Sequence, residues 1–116
     1  MTNLWFVFLG GGLGAALRYV CGIYLPFSTF WVNVFGSFVL GFLFAFFVDK
    51  PDLHAGLKVA LTVGFCGGLT TFSTFSFQVF DMIKSGNIVN ALLYILLSVI
   101  IGVGAVTLGV YCAKFI

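Results

Sequence analysis

Four apolar stretches, at residues 4–25, 30–48, 57–80 and 88–113, take up nearly the whole chain, with short polar turns between them. A helix of about 17–25 apolar residues crosses a bilayer. The pattern therefore predicts an all-α membrane protein, one domain of four transmembrane helices. Pro26 with Ser28 and Thr29 marks the first turn, and Asp49-Lys50-Pro51-Asp52-Leu53-His54 is the one charged loop, where His54 reads as a solvated side chain. Lys84-Ser85-Gly86-Asn87 marks the last turn. The fourth stretch is longer than a span requires, which predicts tilt or protrusion.

The third stretch departs from the pattern at Gly67-Gly68-Leu69-Thr70-Thr71-Phe72-Ser73-Thr74-Phe75-Ser76. Two glycines and five hydroxyl residues in ten positions weaken a helix. Inside hydrocarbon every freed backbone group needs a partner or a cavity, and Ser and Thr side chains can be such partners. The stretch predicts a broken transmembrane helix at a functional site.

Polar residues inside the other spans are few. Arg18 is the one ionisable residue well inside an apolar segment, and it either marks function or snorkels past Leu25 to the headgroups. Gly10 and Gly14 form a small-xxx-small pair that suits close helix packing. Asn33, Ser37 and Gly41 recur every four residues on one face, where Asn33 either joins helices or lines a wet path. Tyr94, Ser98 and Gly102 repeat the same spacing, a polar stripe on the last span.

Composition narrows the functions. With 62% hydrophobic and 7% charged residues the chain cannot cover a soluble surface. A net charge of +2, with no basic cluster, gives nucleic acid nothing to grip, so membrane lipid is the partner that composition implies. Cys21, Cys66 and Cys112 are widely spaced among apolar residues and read as buried small hydrophobes. Met1-Thr2-Asn3 carries no basic side chain of a leader, so the first stretch reads as a mature span. There is no Glu, all three Asp lie at span ends and the single His stands alone, so no catalytic site can be assembled. Proton-coupled cation export needs a membrane carboxylate, and the arginine found in its place points to an anion. Lys50, Lys58 and Lys114 fall on one side of the membrane and Lys84 on the other, joined there by Arg18 if it snorkels, so orientation is barely specified. A chain that inserts both ways can pair antiparallel.

The segments Gly10-Gly11-Gly12-Leu13-Gly14-Ala15-Ala16-Leu17-Arg18-Tyr19, Val32-Asn33-Val34-Phe35-Gly36 and above all Gly64-Phe65-Cys66-Gly67 onward to Ser76 resemble the Fluc (CrcB) family of bacterial fluoride channels. The resemblance covers the chain in order and length. It implies a dual-topology antiparallel homodimer in the bacterial plasma (inner) membrane, with two fluoride pores and a central structural sodium ion. By motif, Phe72 and Phe75 match the pore phenylalanines, Asn33 the pore asparagine and Arg18 the vestibule arginine. Gly67 and Thr70 match the positions whose backbone carbonyls hold sodium. Tyr94 and Ser98 match part of a polar track, which in this chain meets Gly102 where members often carry a hydroxyl.

These residue types suit a small, strongly hydrated anion. The Asn33 amide and the Thr71 and Ser73 hydroxyls are neutral donors that can replace water without holding the ion too tightly. Phenylalanine presents a positive ring edge. Passive export of cytoplasmic fluoride is the function expected, against a small dual-topology secondary transporter of another solute or a purely structural membrane subunit.

Overall fold

The structure is a computed structural model that describes residues 3–116. Every regular element in it is helical: α1 (Asn3–Tyr24), α2 (Ser28–Val48), α3 (Ala55–Val59), a π-helical stretch (Ala60–Cys66), α4 (Gly67–Leu69), α5 (Phe72–Lys84) and α6 (Ile88–Lys114). Four helical segments are long and apolar enough to cross a membrane: α1, α2, Ala55–Lys84 taken together, and α6.

The turns differ from the sequence expectation by a few residues, for local reasons. The first turn is Leu25, Pro26 and Phe27, of which Phe27 adopts the left-handed conformation at φ 56. Ser28 and Thr29 are thereby free to begin α2. The third segment runs on to Lys84 because Gly86, at φ +84, ends it: the Asn87 amide bonds the Met82 carbonyl at 2.8 Å and the Gly86 amide that of Ile83 at 3.1 Å. Glycine takes that conformation without steric cost, and this pair of bonds satisfies the carbonyls that a helix end frees. His54 is exposed, but its Nδ1 accepts the Gly56 amide at 2.9 Å and caps α3.

Small residues set the packing. A Cβ on Gly10 would meet the Ala60 carbonyl, and one on Gly14 would lie 2.7 Å from the Leu69 amide nitrogen. From the facing side, a Cβ on Gly68 would strike Gly11. The backbones of α1 and the π-helix–α4 stretch therefore touch directly, the close-packing role that the spacing of Gly10 and Gly14 suggested. On the other side of the protomer α2 packs along α6, with Gly41 against Val106 and Gly109 against the Phe38 carbonyl. Between these pairs lie the most buried large side chains, Leu69 and Cys66, each 1% exposed, at the end of the π-helix and in α4. Most other large apolar side chains face outward, as a membrane protein requires.

Candidate functional site: an interrupted helix and its cavity

The third segment leaves helical conformation at two residues. Thr70 (φ −82, ψ 156) and Thr71 (φ −150, ψ 118) are extended, and the helix resumes at Phe72. The sequence attributes the weakness to the two glycines and five hydroxyl residues of Gly67 to Ser76; of these, Gly67 is right-handed helical at φ −65, ψ −35 and both glycines lie in α4. The interruption falls on β-branched residues, for which extended backbone is comfortable. Gly68 serves close packing instead.

Side chains take over the freed backbone groups. Asn33 pairs with Thr71 as a neighbouring strand would: its Oδ1 accepts the Thr71 amide at 2.7 Å and its Nδ2 donates to the Thr71 carbonyl at 3.2 Å. The Thr71 hydroxyl caps α5 by accepting the Thr74 amide at 3.3 Å, and lies 3.3 Å from the Ser73 hydroxyl. On the near side of the break, the Thr70 hydroxyl donates back to the Cys66 carbonyl at 2.9 Å. Arg18 Nε donates to the Gly68 carbonyl at 3.1 Å, which sets a cation against a helix C-terminal end. Arg18 thus reaches inward to the break and does not line the cavity described next.

That cavity, of about 560 Å³, opens beside the interruption. Its lining includes Asn33, Ser37, Gly67, Thr70, Thr71, Phe72, Phe75, Ser98 and Gly102. None of its lining residues is charged. Ser98 lines the cavity, but its Oγ is itself buried and has no hydrogen-bond partner among the described residues. Phe72 and Phe75 meet with ring centroids 5.9 Å apart, and Phe75 continues to Tyr94 at 5.0 Å. Phe72 is 78% exposed. Ser73 is also exposed and outside the cavity lining.

Tyr94 does not turn into the cavity. Its hydroxyl donates to Gln78 Oε1 at 2.6 Å, and Gln78 Nε2 donates to the Thr29 hydroxyl at 3.1 Å, which ties α6, α5 and α2 together. Sequence reasoning passed over Gln78 and Thr29. The signal was present, since Gln78 is the chain's one glutamine and lies in an apolar run, where an amide needs partners as Asn33 does. The π-helical stretch was also missed. There the Thr62 hydroxyl donates to the Lys58 carbonyl at 2.7 Å, taking the acceptor that its own amide would use in an α-helix. Such wider turns recur near functional sites.

The family model described as CrcB-like protein, Camphor Resistance (CrcB), matches residues 5–110. A protein of Hahella chejuensis named fluoride-specific ion channel FluC is 40% identical over 124 residues, covering 100% of this chain and 98% of that one. Its namesakes in Azobacteroides pseudotrichonymphae (36% identical, 99% and 98% covered) and Leptospira interrogans (40%, 97% and 94%) agree over comparable lengths. Matched by the family model over nearly its full length and 36–40% identical to these relatives, this chain belongs to the CrcB family.

Proposed function

We propose that this protein is a fluoride-selective channel through which the ion passes down its gradient, with no reaction catalysed. The observation that carries the reading is the uncharged cavity beside the interruption, which Asn33, Phe72, Phe75 and Ser98 line together. A carboxylate there would repel an anion, whereas neutral donors and ring edges allow entry and release. The names of the full-length relatives support fluoride as the ion. Asn33, Phe72, Phe75 and Ser98 act along the path, with Thr71 and Ser73 as hydroxyls at its edge and Tyr94 aligned behind Phe75. Arg18, held at the break, raises the local anion concentration.

The working unit is an antiparallel homodimer in the bacterial inner membrane, its third segment a discontinuous transmembrane helix. Exposed Phe72 and the open side of the cavity suit coverage by a second copy, and the near balance of lysines suits insertion both ways. A sodium ion on the dimer axis, held by the Gly67 and Thr70 carbonyls of both copies, fits the residues present. Both positions border the cavity, and the Thr71 amide that would bond the Gly67 carbonyl in an unbroken helix is engaged by Asn33. Neutral backbone oxygens suit a hard monovalent cation, and none of the described residues forms an acidic or histidine cluster for a divalent one. The ion supplies positive charge at the subunit junction.

The test is fluoride efflux from liposomes that contain the purified protein alone, followed with a fluoride electrode. Efflux should be electrogenic and need no proton or sodium gradient; strict coupling to either would overturn the channel reading. Added lysines in the 50–58 loop, or near Lys84, should each lock one orientation and abolish flux, and co-expression of the two forms should restore it. Full flux from one locked form would overturn the antiparallel dimer.

A further inference from the structure

The Asn33 pairing with Thr71 bears on a second site. In an uninterrupted helix the Thr71 amide would bond the Gly67 carbonyl four residues back. Here that amide goes to Asn33 Oδ1 at 2.7 Å, and none of the described residues is recorded as a donor to the Gly67 oxygen. The acceptor half of the pairing is the shorter, since Nδ2 to the Thr71 carbonyl is 3.2 Å. Gly36, one turn beyond Asn33, makes the approach possible: a Cβ there would collide with the Thr70 methyl. Only a glycine lets α2 come close enough for the short asparagine side chain to span to the break.

We propose that Asn33 is a positioning residue for the cation site: by drawing the Thr71 amide away, it keeps the Gly67 carbonyl free to ligate sodium. It would do so without touching the ion. This rests on the reading of Gly67 and Thr70 as sodium ligands and adds a dependence of that site on a side chain of another helix. The two functions of Asn33 then separate chemically. Its Oδ1 holds the break open, while the Nδ2 hydrogen not given to Thr71 remains for the permeating anion.

Two substitutions divide these roles. Asn33→Asp retains an acceptor for the Thr71 amide but sets a negative charge in the cavity. Asn33→Leu has similar bulk and no acceptor, so the Thr71 amide returns to Gly67. The backbone can be observed directly, because Thr70-Thr71 is the one Thr-Thr pair in the chain. Threonine labelled with ¹³C at the carbonyl and ¹⁵N at the amide gives a single carbonyl–nitrogen correlation across that peptide bond in solid-state NMR of the dimer in lipid. The expected result is a Thr71 amide shift characteristic of extended backbone in the wild type and Asn33→Asp, and a helical one in Asn33→Leu.

The second readout is sodium protection of the dimer against heat, with N-methylglucamine as the replacement cation. The sodium concentration for half-protection should rise about tenfold or more in Asn33→Leu and stay near wild type in Asn33→Asp, although both lose flux. A Thr71 signal and sodium response in Asn33→Leu that match the wild type would overturn the proposal and leave Asn33 as a pore residue alone. If the Thr71 signal moves but the wild-type dimer shows no sodium response, the sodium reading itself fails, and the coupling with it.

Discussion

Between α2 and α6, Gly41 lies against the Val106 backbone and Gly109 against the Phe38 carbonyl, and both helices run unbroken for 21 and 27 residues. Between α1 and the third segment, Gly10, Gly14 and Gly68 make equally close backbone contacts, yet the third segment widens into a π-helix and then breaks. Small residues at a contact therefore do not make a site. The difference lies in what competes for the backbone. On α6, the Thr107 hydroxyl bonds Val103 within its own helix and changes nothing around it. At the break, Asn33 and Arg18 reach in from other helices and take backbone groups that a helix would otherwise pair internally.

The largest expected effect tests what the two regions share. A side chain at Gly14 or at Gly109 meets backbone that cannot move aside, so Gly14→Val and Gly109→Val should each destabilise the protomer by about 3 kcal/mol or more. Size-exclusion profiles of the detergent-extracted variants should show no folded peak. Gly67 offers the contrast, since a Cβ there meets nothing within 4 Å in the protomer. Gly67→Ala should leave the protomer folded and act only where a second copy or a cation approaches. A folded, wild-type-like Gly14→Val would mean that the close contact with α4 is not a constraint.

Next comes the feature that separates the regions. Asn33→Asp places a charge in a cavity with no other, where an effective dielectric well below that of water strengthens its repulsion of an anion. Fluoride efflux should fall by about a hundredfold or more while the protein still elutes as a folded peak, because each penalty of about 1.4 kcal/mol is a factor of ten. Thr107→Val, in the uninterrupted region, should change efflux less than about twofold. Equal effects of the two substitutions would erase the distinction drawn here.

Phe75→Ile should be intermediate. Phe75 touches both Phe72 and Tyr94 by its ring, and isoleucine retains bulk but has no positive edge to face an anion. Efflux should drop by about tenfold with little change in thermal stability. A loss of stability as large as the loss of flux would make Phe75 a packing residue.

Much of this contrast was legible before the structure. Span number and the anomalous stretch follow from hydropathy and from hydroxyl and glycine content, which are local properties. The common face of Asn33 and Ser37 follows from helical period, and both do line the cavity. What was not legible depends on register between helices. Extended backbone suits the β-branched Thr70 and Thr71, but the partner that receives the Thr71 amide is an asparagine 38 residues away, which no local property reveals. The π-helix is likewise hidden, since it differs from an α-helix only in which carbonyl each amide selects. Tyr94 shows the limit of periodicity: it shares a face with Ser98, but Gln78 holds its hydroxyl.

The smallest effect concerns Gly102, where the polar stripe of α6 ends. A Cβ at this position meets nothing within 4 Å, and the residue borders the cavity one turn beyond Ser98, whose hydroxyl has no partner. Gly102→Ser should therefore fit without displacing any atom of the protomer. In a helix its hydroxyl can bond the carbonyl of residue 98 or turn toward the cavity, so it adds one neutral donor to a space that already has several. Replacing glycine within a helix also adds a few tenths of a kcal/mol of stability. Efflux should change by no more than about twofold and the melting temperature should rise slightly. A tenfold loss would show that the space beside Gly102 is filled in the working protein, as the proposed second copy would fill it. That outcome would move the permeation path away from Gly102 and toward Phe72 and Phe75, and sharpen the contrast between the break and the continuous helices around it.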